Sequence, residues 1–262
     1  MRKLTDETNR SWSRLKDDSR LRLADDLDVT PDGKIYFSEA TIRFEADQWI
    51  LDGIEGRPNG RVICYDPATR TTRTVLPRLV FPNGVCSCHD GESILIGQTW
   101  LCRILRYWHS GAKRGALEVF ADDLPGYVDN INRASDGGYW VALTGTRAPI
   151  YDLSMRMPSF RRRMMKRVPP DEWLYPSLNH GCVLKIGEDA TVVESYWDPG
   201  GESHATITSM REFEGHLYIG SLTNNRIGRV RLAAAGRLCR CGQRPCTRPG
   251  DADQTPARRV GT

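Results

Sequence analysis

The sequence predicts an all-β fold of the propeller type, because a short strand-turn-strand unit recurs four times along the chain. An acidic residue followed by glycine marks each turn, and an apolar run follows each one. The turns are Asp32-Gly33, Asp90-Gly91, Asp136-Gly137 and Glu214-Gly215. Repetition of this kind is typical of radially repeated β architectures. A β-sandwich with a coincidental repeat is the alternative.

Each unit also contains further strand-like segments, which complete a blade. Period-two alternation bounded by Gly, Pro and Asp predicts a half-buried third strand in all four units. These strands begin near Gly60, Cys102, Gly181 and Asn225. Three units have a fourth, outer strand, at 72–76, 116–120 and 191–196. Four antiparallel strands per unit describe propeller blades with loops of variable length.

A polar residue stands seven positions before the turn acid in three of the four units. The four residues are Asp25, Asn83, Asp129 and Ile207. Equivalent positions on the innermost strands of a propeller meet near the central axis. Carboxylate and amide oxygens gathered there are the ligands that a hard cation prefers.

The chain divides into three predicted regions. Residues 1–23 are expected to form an outer strand and linker of a truncated blade, 24–232 the propeller blades, and 233–262 a disordered tail. The insertion at 145–180 is expected to be partly helical, with Pro158 interrupting a short helix. Methionines and basic residues at 154–168 leave two interpretations open, a cap over one propeller face or a membrane-surface or substrate-gating element.

Composition excludes several classes of protein. The 262 residues are 39% hydrophobic, with a net charge of +4 and dispersed basic residues, so nucleic-acid binding is not expected. No segment approaches the ~18 apolar residues that span a bilayer, and the chain carries no signal-peptide pattern. A cytoplasmic protein with reduced cysteines is therefore expected. Oligomeric state is not predicted.

Several separated motifs resemble the strictosidine synthase family, which includes adipocyte plasma membrane-associated proteins and is related to the gluconolactonase (SMP-30-like) and paraoxonase propellers. The motifs are the segment 25–41, Phe81-Pro82-Asn83-Gly84, the segment 124–131 and the segment 215–220. The resemblance implies a six-bladed propeller, of which this chain holds about four blades.

The resemblance also implies a calcium site, with other divalent cations not excluded. Carried over by motif, the metal ligands are Asp25, Asn83, Asp129 and Asn130, although Asp25 stands where several relatives have Asn. Asp129 takes the position of the nucleophile or base of the hydrolytic relatives.

The glutamate on which the family's namesake condensation depends falls on Thr208, which cannot act as an acid or base at neutral pH. Glu202 and His204 are the candidate substrate-binding residues in the neighbouring loop.

The expected function is a metal-dependent hydrolase acting on a small-molecule ester or lactone. The alternatives are a non-catalytic binding or scaffold propeller, and an inactive gene fragment or a chain with a mis-called start. A purely structural interpretation of the polar positions also stays open. In it, Asn83 and Asp129 bond exposed backbone amides where the inner strands line the channel.

Overall fold

The computed structural model describes residues 3–9, 20–167, 169 and 180–232 and shows four antiparallel sheets arranged as propeller blades. Each blade is a meander of consecutive strands. Within the described residues, the first three blades have four strands and the last has three. The strands are β1 Ala24–Val29, β2 Ile35–Glu39, β3 Gly60–Asp66, β4 Thr71–Leu79, β5 Pro82–Ser87, β6 Ser93–Gln98, β7 Arg103–Trp108, β8 Leu117–Ala121, β9 Gly126–Arg133, β10 Tyr139–Thr146, β11 Gly181–Ile186, β12 Val192–Asp198, β13 Ile207–Phe213, β14 His216–Ser221 and β15 Gly228–Arg231. The predicted all-β propeller fold is confirmed.

Glycine makes the first turn of every blade. In the first blade, the backbone N–H of Thr30 donates to the carbonyl oxygen of Lys34 at 3.0 Å, which closes the β1–β2 hairpin. Gly33 has φ +79° there, and the glycines of the other three repeat turns also have positive φ. Residues without a Cβ adopt this conformation at little cost, which explains the recurring acid-glycine pair.

The hydrophobic core lies between successive blades. Val62 and Cys64 of β3 belong to one buried cluster with Ile94 and Ile96 of β6. A second cluster joins the third and fourth blades in the same way. Such side chains each contribute roughly 1.5–3 kcal/mol when fully buried. The apolar side chains on the face of one blade therefore pack with those on the face of the next blade.

Among the described residues, three short α-helices lie in the connections between strands. The helix α1, Trp49–Glu55, lies between β2 and β3, whereas α2, Pro149–Met155, and α3, Pro158–Met164, lie between β10 and β11. The helices α2 and α3 agree with the predicted partly helical insertion. Pro158 begins α3 instead of continuing α2, because proline lacks the N–H that a helix interior needs. The helix α1 was not predicted from the residue pattern.

The N-terminal segment 3–9 packs beside the first blade. The N–H of Asn9 donates to the carbonyl oxygen of Thr72 at 2.7 Å, and Glu7 forms an isolated bridge with Arg20. Leu4 lies in no strand, and the start of the expected outer strand, residues 1–2, lies outside the described residues. One compact unit spans Met1–Leu232. The predicted tail 233–262 also lies outside the described residues.

Candidate functional site

A β-bulge lies at the same place in the innermost strand of every blade. In the first blade, Ala24 pairs with Glu39 but Leu27 pairs with Phe37, so β1 contains one extra residue between two paired positions. The register of β5, β9 and β13 shifts in the same sense where each pairs with the next strand. Bulges of this kind bend a strand and re-aim its side chains.

The bulges direct polar side chains into one cavity of about 480 Å³. Its walls contain residues of all four blades and of α1. The polar lining residues are Asp25, Asn83, Thr99, Asp129, Asn130, Thr144 and Thr208. Because β9 bulges at this point, the adjacent residues Asp129 and Asn130 both reach the cavity.

Gly84 allows the inner strands of the second and third blades to approach closely. A Cβ at this position would lie 2.3 Å from the carbonyl oxygen of Asp129 and 2.8 Å from the Cα of Asn130. No side chain fits at such distances. The glycine of the Phe81-Pro82-Asn83-Gly84 motif therefore holds Asn83 next to Asp129.

Burial and like charges perturb the two cavity carboxylates. Desolvation, then the negative charges of Asp25 and Asp26, raise the pKa of the Asp129 carboxyl well above its ordinary value, although the neighbouring Asn83 side chain opposes this shift. Desolvation and the neighbouring Asp26 also raise the pKa of Asp25 to about 6, although Asp25 is an exposed residue. Among the described lining residues no side chain is cationic.

The described residues fit a hard cation in this cavity. The Oδ1 atom of Asn83 is buried and accepts no hydrogen bond from the described residues. A cation would satisfy this oxygen and offset the repulsion between Asp25 and Asp129. The set combines two carboxylates and two carboxamides. The described residues contain no group of three or more His, Cys, Asp or Glu side chains placed to hold a metal.

Two other aspartates of β1 bond the neighbouring blade and do not enter the cavity. The Oδ2 atom of Asp26 accepts a hydrogen bond from the N–H of Val85 at 2.9 Å, and Oδ2 of Asp28 accepts one from the N–H of Ser87 at 2.8 Å. The structural role foreseen for Asn83 and Asp129 is thus performed by Asp26 and Asp28. Each carboxylate accepts a hydrogen bond from a strand N–H group, in place of the carbonyl oxygen of a neighbouring strand.

Aromatic residues also line the cavity, and they are called its aromatic wall below. Trp100 is stacked on Trp49, with ring centroids 5.7 Å apart, and meets Phe81 and Tyr127 edge to face. Tyr151 of α2 packs on Trp100 and donates a hydrogen bond from its hydroxyl to the carbonyl oxygen of Gly53 at 2.8 Å. The insertion is therefore attached to α1, which borders the cavity.

Sequence reasoning missed these aromatic residues as part of the site. Trp49 belongs to the unpredicted α1, Trp100 lies in the connection between β6 and β7, and Tyr127 lies in β9. The signal that was present in the sequence is an aromatic residue two positions before a predicted polar position, as Phe81 before Asn83 and Tyr127 before Asp129. It does not by itself distinguish a cavity wall from ordinary core packing.

The structure brings together most of the residues predicted for the site. Asp25, Asn83, Asp129 and Asn130 line one cavity, and Thr208 lines it as well. The loop residues His204 and Glu202 are not among the lining residues. His204 is buried beside Gly228, and Glu202 is exposed. Their predicted role in substrate binding is not supported by this placement.

The fourth blade departs from the pattern of the other three. Ile207, seven residues before the turn acid, is buried in the core between the third and fourth blades. Thr208 faces the cavity in its place because the bulge in β13 falls between Ile207 and Ser209. The expectation that Ile207 occupies the axial position is corrected to Thr208.

The helices of the described residues are all too short, or not apolar enough, to cross a membrane. Cys64, Cys86, Cys88, Cys102 and Cys182 are buried free thiols. Burial raises the pKa of Cys102 and of Cys182 to about 12, so both stay protonated at neutral pH.

Both a family model and individual known proteins are similar to this chain. Residues 25–112 match the family model described as strictosidine synthase. Over 219 residues the chain is 34% identical to the adipocyte plasma membrane-associated protein of Danio rerio, a match covering 82% of this chain and 53% of that protein. Over 216 residues it is 34% identical to the strictosidine synthase-like 4 protein of Arabidopsis thaliana, covering 82% and 56%.

A solved structure of a luciferin-regenerating enzyme is similar in fold, with a TM-score of 0.51 and 14% sequence identity. The match covers 76% of this chain and 53% of that one, and at this identity it shows the fold alone. The chain spans about half the length of the curated relatives it matches. The resemblance predicted from the motifs is thus confirmed, and this chain is a strictosidine synthase-like β-propeller.

Proposed function

We propose that this propeller is a calcium-dependent hydrolase of small esters or lactones, with its site in the central cavity. The observation that carries the proposal is the convergence of Asp25, Asn83, Asp129 and Asn130 on one cavity that has no cationic side chain among its described lining residues. These four residues would hold the ion. A bound divalent cation would polarise the carbonyl oxygen of the ester or lactone.

Asp129 is the candidate nucleophile or base. It is buried and lines the cavity beside Asn83. The raised pKa of Asp129 is a consequence of desolvation and of negative neighbours. Positive charge placed between these carboxylates favours their ionised form, in which Asp129 attacks a carbonyl carbon or accepts a proton from water.

The aromatic wall favours a substrate with an apolar portion. Trp49, Phe81, Trp100 and Tyr127 line the same cavity as the carboxylates. Apolar groups of a substrate would pack on these rings while its carbonyl group lies at the polar end. Thr208 occupies the position of the family's catalytic glutamate, so we do not assign the namesake condensation to this chain.

The test measures hydrolysis of phenyl acetate and of δ-valerolactone by the 262-residue chain, with calcium and after chelation. Asp129→Ala is expected to lower kcat/KM by at least about 100-fold, since general base or nucleophile contributions are of this order. Asp122→Ala is the matched control, because Asp122 is an exposed aspartate outside the cavity. Activity that survives both chelation and Asp129→Ala would overturn the proposal.

A non-catalytic binding propeller makes a different prediction in the same experiment. Calcium would bind and depend on Asp129, but neither substrate would be turned over above the buffer rate. The aromatic wall and the accessible cavity favour ligand binding in either case. Turnover is therefore the measurement that separates the two functions.

A further inference from the structure

The helices α2 and α3 present an apolar surface to the outside of the protein. Ile150, Leu153, Met157 and Phe160 are 59%, 54%, 46% and 40% exposed. Ile150 and Leu153 lie three residues apart on α2. Met157 and Phe160 lie three residues apart at the start of α3, so each short helix turns one apolar pair outward. Met165, at the end of α3, is also 37% exposed. Large apolar side chains grouped in this way mark an interaction surface.

The opposite side of the same helices is firmly attached to the propeller. Tyr151 and Ser154 are buried, and the Tyr151 hydroxyl bonds the carbonyl oxygen of Gly53. The Nη1 atom of Arg161 donates hydrogen bonds to the carbonyl oxygens of Ile54 and Glu55 at the end of α1. The outward orientation of the apolar face is therefore set by specific contacts on its inner side.

The charges around this face are strongly unbalanced. Between 147 and 167 one residue is acidic, Asp152, and it is already paired with Arg147 at 2.7 Å. The exposed basic residues of the same segment are Arg156, Arg162, Arg163, Lys166 and Arg167. This surface thus combines exposed apolar side chains with five exposed basic side chains. The segment 147–167 contains no second acidic residue to balance their charge.

We propose that the helices α2 and α3, residues 149–167, dock on an anionic lipid surface. Apolar residues on one face and flanking lysine or arginine are the combination by which short amphipathic helices lie in a bilayer interface. The apolar side chains enter the headgroup region, and the basic side chains attract anionic lipids. A protein partner with an acidic groove, or a second copy of the chain, would fit the apolar residues but is a different outcome of the test.

The experiment measures co-sedimentation of the 262-residue chain with two kinds of vesicle. One is phosphatidylcholine alone, and the other contains about 30 mol % phosphatidylserine, which gives a negative surface potential. We expect binding to the anionic vesicles that weakens as salt is added, and about tenfold less binding to the neutral ones. Equal binding to both vesicles, or binding to neither, would overturn the proposal.

Two pairs of variants separate the electrostatic and apolar contributions. In the double variant Arg162→Glu/Arg163→Glu, the partition coefficient onto anionic vesicles should fall at least about tenfold. Each basic residue near the membrane raises this coefficient by roughly fivefold. Arg73→Glu/Arg114→Glu changes the net charge equally, at exposed positions away from the helices, and should bind within about twofold of wild type. Equal losses in both pairs would show a net-charge effect and reject the assigned surface.

Leu153→Ser is the apolar variant, and Val193→Ser, at a residue 60% exposed on β12, is its control. Leu153→Ser should weaken vesicle binding severalfold, whereas Val193→Ser should not. Circular dichroism and a thermal melt confirm that each variant is folded. A mass measurement in solution that shows dimers of wild type but monomers of Leu153→Ser would assign this face to a second copy instead. This test is independent of hydrolysis and of calcium.

Discussion

The carboxylate of Asp26 accepts a hydrogen bond from the backbone N–H of Val85 at 2.9 Å, which joins the innermost strands of the first two blades. Its neighbour Asp25 lines the cavity. Adjacent aspartates thus have different roles, because the bulge in β1 sends one side chain along the sheet and the other to the axis.

Because the two aspartates have different roles, substitutions at Asp26 and at Asp25 should affect the free energy of unfolding differently. Asp26→Ala should be less stable than Asp26→Asn by about 1–3 kcal/mol, since alanine leaves the buried Val85 N–H without an acceptor. The comparison with Asn removes the effect of charge. Asp25→Ala and Asp25→Asn should have free energies of unfolding within about 0.5 kcal/mol of each other. Urea unfolding of the four variants measures this, and a large difference between the Asp25 pair would contradict the assignment.

Calcium should stabilise the folded protein. A ligand that binds the native state alone adds about 2.7 kcal/mol at a hundredfold excess over Kd, so Tm should rise with calcium. Asp25→Ala and Asp129→Asn should flatten this dependence, because the first removes an oxygen ligand and the second removes the negative charge of one. Asp122→Asn should respond like wild type. A full calcium-dependent shift in the Asp129→Asn protein would exclude the cavity as the binding site.

Gly84→Ala should damage stability and cation binding together. The added Cβ would force β5 away from Asp129 and Asn130, at a cost of about 1–3 kcal/mol for overpacking. Gly200→Ala is a suitable control, because its Cβ would meet the flexible side chain of Glu202 at 3.3 Å. Thermal melts with and without calcium report both effects. Normal calcium response in Gly84→Ala would show that the close approach of the strands does not position the site.

Asp52 should give the protein a measurable pH dependence of stability. Burial raises the pKa of Asp52 to about 6, although Asn59 donates a hydrogen bond to its Oδ2. The folded state then binds more protons than the unfolded state between about pH 4 and 6. This contribution to stability is complete below about pH 4 and is lost as pH rises through 6.

Asp52→Asn should remove this contribution. Relative to the variant, wild type should lose on the order of 2 kcal/mol between pH 4 and 7. Urea unfolding across this range measures the difference. Asp122→Asn should give a curve parallel to that of wild type. Parallel curves for Asp52→Asn as well would mean that Asp52 titrates normally in the folded protein.

Strand positions were largely predictable because local patterns encode them. The predicted segment beginning at Gly181 coincides with β11, Gly181–Ile186, and the other predicted strands differ at their ends by a few residues. Alternation of apolar and polar residues and acid-glycine turns depend on near neighbours in the chain. The last strand, β15, begins at Gly228, later than the predicted start at Asn225.

The bulges were not predictable in the same way. A single extra residue in an inner strand changes which side chain reaches the axis, and only pairing with the next strand reveals it. Counting seven residues from the turn acid therefore succeeded for Asp25, Asn83 and Asp129 but selected Ile207 where Thr208 faces the cavity. The same lack of long-range information hid α1 and the aromatic wall.

The sequence by itself determined the repeat, the strand order within each blade and the residues able to bind a hard cation. These follow from turn chemistry, side-chain alternation and the resemblance of separated motifs. Tertiary structure alone decided that Asp25 and Asp129 share a cavity while Asp26 and Asp28 bond the next blade. It also decided that α2 and α3 turn an apolar face outward. Contacts between distant blades and helices set these orientations, and no local pattern of residues records such contacts.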